Sequence, residues 1–127
     1  IGFWSHQFSV ALCYPGNAQV DPDTLLRLLN QISADSPVYE FTGKRYQKFQ
    51  QALDILTIGP KSSMKAKLKA HLLALWLNYK SSWTTGYTLN GMTAQQIIQG
   101  SENALIKNLT TEYQYWKNLC DQFNNLP

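Results

Sequence analysis

The stretch from Met64 to Tyr79 constrains this chain more than any other. Met64, Leu68, His71, Leu72, Leu75 and Tyr79 recur at intervals of three and four, the period that places side chains on one face of an α-helix. Leu73, Trp76 and Leu77 widen the apolar arc beyond that face, and a helix apolar over so much of its circumference has to be enclosed by neighbours. The spacing predicts a central helix from Ser63 to Lys80 with other helices packed around it.

The remaining segments supply those neighbours. Trp4, Phe8, Ala11 and Leu12 make a first helical stripe, broken at Tyr14-Pro15-Gly16-Asn17. Asp21 as a cap, Pro22 at the first helical position and Asp23 at the positive end of the helix dipole open a second helix, with Leu25, Leu28, Leu29 and Ile32 inward. Ser33 to Pro37 stops it, and a short extended stretch from Val38 to Phe41 leads to Thr42-Gly43. A third helix follows, with Tyr46, Phe49, Leu53 and Leu56 on its buried face, and closes at Ile58-Gly59-Pro60.

From Lys80 to Met92 the period fails, which reads as a long loop with room for one small hairpin. Thr93 with Gln96 makes a capping box for a fifth helix through Ile97 and Ile98. Thr111 with Gln114 makes another for a last helix bearing Tyr113, Trp116, Leu119, Cys120 and Phe123, with a bend expected near Gly100 or near Asn108. The expected fold is all-α: an irregular bundle of five or six helices with a long loop between the fourth and fifth. At 127 residues the chain carries one core comfortably and two only marginally, so residues 1–127 read as a single domain.

Charged residues make up 15% of the chain, below the roughly 25% of soluble domains, and Asn, Gln, Ser, Thr and Tyr fill the difference. A polar, weakly charged surface suits an extracellular or cell-surface protein. An opening Ile1 in place of methionine reads as a processed product or a piece of something longer. The longest apolar run, Leu72 to Leu77, falls well short of the roughly 20 residues that cross a bilayer, so no membrane span is expected. Net charge of +3 does not imply nucleic acid. Lys61, Lys65 and Lys69 line one helical face, and Lys44, Arg45 and Lys48 form a second cluster. Such lysines can track phosphates, yet they equally keep the wet face of an amphipathic helix soluble, and no nucleic-acid partner is expected.

Cys13 and Cys120 lack the close-spaced companions of a metal site. In an oxidising compartment they would pair, tying the first helix to the last across about 100 residues and contributing on the order of 4–5 kcal/mol. Otherwise they are buried thiols. Pairing is the expectation, because each lies on or beside an apolar stripe near a terminus. Asn108-Leu109-Thr110 is a glycosylation sequon, so Asn108 is a candidate acceptor.

Catalytic signals are sparse. His6 and His71 both read as buried histidines bonded to backbone or to a tryptophan N–H, with metal binding or proton exchange as the alternative. Neither has a second ligand one helical turn away. Apart from Asp21 and Asp23, the carboxylates Asp35, Glu40, Asp54, Glu102, Glu112 and Asp121 sit at positions that read as solvated. No Gly-x-Ser-x-Gly elbow and no phosphate-binding glycine loop occurs. The expectation is a non-enzymatic domain without metal or cofactor.

Trp83 and Tyr87 stand apart, since they lie in a Ser/Thr-rich loop with no helical stripe to bury them. Either Trp83 folds back as a plug on the bundle, or the two rings stack on a glycan or anchor a protein partner.

Three segments resemble one family. Gly2-Phe3-Trp4-Ser5-His6 resembles the Gly-aromatic-Trp-Lys-Asn-His opening of a helical domain of secreted and cell-surface proteins of bacteria and archaea. Thr42 to Leu56 resembles that domain's Tyr-Thr-led helix, and Lys69-Ala70-His71-Leu72-Leu73-Ala74-Leu75-Trp76-Leu77-Asn78 its Ala-His-Gln-Leu-Ile-Ala-Ala-Lys-Leu-Asn helix. The departures are His6, one place early, and Trp76, where the family has a smaller or charged residue. The resemblance implies a helical fold, a location at the cell surface, and a shared core joining His6 to His71; it implies no activity. The function expected is a non-catalytic extracellular module, structural, adhesive or self-assembling. Glycan binding through Trp83 and Tyr87, or a secreted metal-binding or enzymatic role, is the alternative.

Overall fold

The helix boundaries follow from local chemistry. In the computed structural model, which describes residues 1–127, six α-helices run in order: α1 (Gly2–Ala11), α2 (Pro22–Asp35), α3 (Arg45–Leu56), α4 (Met64–Lys80), α5 (Ala94–Ile106) and α6 (Tyr113–Asn124). Asp21 Oδ1 accepts from the Thr24 amide at 2.9 Å, Ser63 Oγ from the Ala66 amide at 3.1 Å, and Thr93 Oγ1 from the Gln96 amide at 3.3 Å. Each bond satisfies one amide that the first helical turn leaves without a partner. Gln96 Oε1 accepts in return from the Thr93 amide at 2.9 Å, completing the expected capping box.

The box expected at Thr111 does not form. Thr110–Glu112 is instead a 3-10 turn closed by the Glu112 amide on Leu109 O at 2.9 Å, and α6 continues directly from it. With Thr111 inside a helical turn, its side chain is no longer placed to cap the next one.

Three helices end alike, each on a non-glycine residue in the left-handed region. After α1, Cys13 (φ 71°) is that residue; after α4 it is Ser82 (φ 64°), and after α5 Asn108 (φ 54°). In each case the next amide reaches back five positions: Tyr14 to Ser9 O at 3.1 Å, Trp83 to Asn78 O at 3.0 Å, Leu109 to Ala104 O at 2.9 Å. These are Schellman closures. The bend anticipated near Gly100 or Asn108 is therefore at Asn108, and α5 runs unbroken through Gly100.

α4 is the central helix, as its spacing predicts, with Leu68, Ala70 and every residue from Leu72 to Leu77 buried. It packs most extensively on α6 and also against α2, α3 and α5, while α1 lies mainly on α3 through Phe8 and Phe49, their rings 5.8 Å apart. One apolar core includes side chains from all six helices. Tyr46, expected in it, is exposed in the first turn of α3, where Phe49, Ala52 and Leu56 form the buried face. Buried Gln7 ties down the chain after α1, its Oε1 accepting from the amides of Gln19 and Val20 at 2.8 and 3.1 Å. Between α4 and α5 the loop holds only a single β-bridge, Leu89 to Met92, turned by Asn90 (φ 52°) and Gly91 (φ 77°). No helix is long and apolar enough to cross a membrane.

α5 and α6 approach closely at Gly100. A Cβ there would lie 2.1 Å from Cη2 of Trp116, a separation no side chain tolerates, so the indole occupies the space that glycine leaves open.

Candidate functional site: an aromatic cleft

The Schellman closure of α4 places Trp83 one residue beyond the left-handed Ser82 and above Asn78. There the indole of Trp83 stacks on that of Trp4, centroids 5.2 Å apart and planes 24° apart, while Phe3 meets it edge-on at 5.6 Å. Phe3 also stands edge-on to Trp4 at 5.1 Å. Trp83 thus folds back on the bundle and still exposes 52% of its surface; Trp4 beneath it exposes 2%.

A chain of carboxamides supports the stack. Trp4 Nε1 donates to Asn78 Oδ1 at 2.9 Å, Asn78 Nδ2 to Asn124 Oδ1 at 2.9 Å, and Asn124 Nδ2 to the His71 carbonyl at 3.1 Å. An indole N–H only donates and a peptide carbonyl only accepts, so the two ends of the chain dictate the orientation of both amides. Each carboxamide keeps one donor hydrogen and one acceptor lone pair for other partners.

Around this floor Phe3, Trp4, Asn78, Trp83, Thr84, Tyr87, Phe123 and Asn124 line a cleft of about 330 Å³, with Ile1, Leu126 and Pro127 completing its wall. No charged side chain lines it. Tyr87 exposes 41% and Phe3 37% of their surfaces, so three of the chain's exposed large apolar side chains converge here. A second, polar cleft of about 470 Å³ shares Thr84 and Tyr87 with the first and is bordered by Ser82, Thr85, Thr93 and Gln95.

The other candidates lie elsewhere. Cys13 and Cys120 are free thiols, so the expected disulfide is absent. The left-handed backbone at Cys13 takes it off the α1 stripe and leaves it exposed, whereas Cys120 is buried against α5, its Sγ 3.4 Å from Ser101 Oγ. Burial pushes the Cys120 thiol up to about 12.

His6, expected to be buried, is exposed and lies over Gly16. His71 is half-buried, with Nδ1 3.6 Å from Asp121 Oδ1; burial lowers its pKa and Asp121 opposes that shift. Asn108 is exposed and serves as the left-handed terminus of α5. No group of three His, Cys, Asp or Glu side chains is arranged to hold a metal ion.

Glu102 overturns the expectation of a solvated carboxylate. It exposes 6% of its surface, accepts from Ser36 Oγ, and takes the Trp76 indole N–H at 3.1 Å. Burial raises its pKa, and the two hydrogen bonds pull the other way. Asp35, which lines a small cleft together with Glu102, is paired with Lys80. These contacts join the end of α2 to α4 and α5, a bracing role.

Neither a protein-family model, nor a curated protein, nor a solved structure matches this chain.

Proposed function

We propose that this domain is a non-catalytic extracellular binding module that holds its ligand in the cleft around Trp83. One observation carries the reading: a half-exposed indole is stacked on a buried one and footed on an ordered amide network. An exposed tryptophan that served only as a plug would need no such foundation. Rings held in place before a ligand arrives lose little freedom on binding, which favours affinity. The Trp4–Asn78 bond also joins the first and last of the segments that resemble the surface-protein domain, which supports treating them as one unit. The weakly charged composition supports an extracellular setting.

The test is retention on a panel of immobilised neutral polysaccharides and one proline-rich peptide, comparing the native sequence with Trp83→Ala. The native chain should be retained on at least one and Trp83→Ala released from it, by about tenfold or more for loss of an anchoring aromatic. Retention on none, or equal retention of both proteins, would end the proposal. Self-assembly is the second reading, carried by Ile106 and Tyr115, which lie exposed on α5 and α6. A monodisperse monomer in sedimentation at high concentration counts against it.

A further inference from the structure

We infer that the ligand of this cleft is a neutral oligosaccharide, and that it extends from the Trp83 cleft past Tyr87 into the polar cleft beside it. The inference rests on the binding reading above and adds to it the ligand's chemistry and length.

Charge comes first. No charged side chain lines the Trp83 cleft, so no side chain there compensates the desolvation of an ionised ligand, and the lining side chains favour a neutral one. Surface chemistry comes next. A pyranose ring has an apolar face of C–H groups and a rim of hydroxyls that both donate and accept. The Trp83 and Tyr87 rings match the face. The unspent donors and acceptors of Asn78 and Asn124, with the Thr84 hydroxyl, match the rim. A purely apolar ligand would leave those amides without partners, at a cost in free energy.

Length follows from the second cleft. Thr84 and Tyr87 belong to both, so the two clefts adjoin across one short stretch of loop. The second is lined by the hydroxyl-bearing residues Ser82, Thr85 and Thr93 and by Gln95, which carries a carboxamide. Its one charged side chain, Lys80, is paired with Asp35. Each volume, about 330 and about 470 Å³, reaches the lower range of small-ligand sites, so the pair suits a chain of sugars better than one ring.

The experiment is calorimetric titration of the full chain with β-1,4-linked glucose and N-acetylglucosamine hexasaccharides, an α-1,4-linked hexasaccharide, the matching monosaccharides, and a proline-rich peptide. At least one hexasaccharide should bind about tenfold or more tightly than its monosaccharide, because contacts in the second cleft then act within the same ligand. Trp83→Ala and Tyr87→Ala should each weaken it by about tenfold, and Gln95→Ala should remove most of the advantage of length. Thermal melting of each variant separates lost binding from lost folding.

Equal affinity for hexasaccharide and monosaccharide overturns the extended site. Binding of the peptide alone, sensitive to Trp83→Ala, overturns the saccharide assignment and leaves the binding reading standing. No ligand whose affinity responds to Trp83→Ala overturns both.

Discussion

Trp4 at the start of the chain donates its indole hydrogen to Asn78 at the end of the central helix, 74 positions away and at 2.9 Å. That bond positions the floor of the aromatic cleft, because the ring it anchors is the one Trp83 stacks upon. Trp4→Phe keeps an aromatic ring and removes the donor, leaving an acceptor of Asn78 unpaired. A loss of about 1–3 kcal/mol is expected in urea unfolding. A change within about 0.5 kcal/mol, the ordinary effect of a surface substitution, would mean that the bond holds nothing.

Gly100→Ala should destabilise the protein despite the better helix propensity of alanine, because its methyl group would lie 2.1 Å from the Trp116 ring. Overpacking of this kind costs about 1–3 kcal/mol, against about 1 kcal/mol gained from propensity. In Trp116→Ala the same substitution should become stabilising. A double-mutant cycle by thermal unfolding reads the change of sign, and a Gly100→Ala effect independent of Trp116 would refute the packing account.

The thiols should differ sharply toward an alkylating reagent at neutral pH. Cys13 is exposed and should label in the native protein. Cys120, buried and pushed up to about 12, should label only on unfolding. Mass spectrometry of the native protein should find the modification on Cys13 alone; modification of Cys120 at a similar rate would contradict its placement.

Glu102 gives stability a pH dependence of definite sign. Its folded pKa lies above the ordinary carboxyl value of 4.5, so between those two values the folded state binds more protons than the unfolded one. Stability from this group is then fullest below 4.5 and is lost as pH rises through the folded value. Glu102→Gln keeps an acceptor for Ser36 and Trp76 and cannot ionise. The difference in melting temperature, variant minus native, should grow with pH across that window. A constant difference would show that Glu102 titrates alike in both states.

Much of the scaffold was legible in the sequence because caps and apolar spacing act locally: Asp21-Pro22, Ser63 and the Thr93–Gln96 box each open the helix they announce. The left-handed closures at Cys13 and Ser82 were not, since glycine is the usual residue at such positions and none stands there; near Asn108 a bend was expected, but not its left-handed form. Missing them misplaced Cys13 and with it the disulfide, which removes one ground for an extracellular location and leaves composition and the resemblance. The site was half legible. Trp83 and Tyr87 stood out as aromatics without a stripe, whereas Asn78 and Asn124 meet only through the fold. One signal was available: Asn78 follows His71 by seven residues, a second polar side chain beside a mostly apolar stripe. Glu102 carried a similar signal, lying between Ile98 and Leu105 at helical spacing.

The central claim, that a ligand is held in the Trp83 cleft, is tested most directly by the four indole N–H resonances of the ¹⁵N-labelled protein. Trp4 and Trp83 line the cleft, whereas the indole of Trp76 is bonded to Glu102 and that of Trp116 to Glu112. Titration with the oligosaccharides named above should shift the Trp4 and Trp83 signals and leave Trp76 and Trp116 in place. Shifts confined to Trp76 or Trp116, or no shift at any of the four, would contradict the claim.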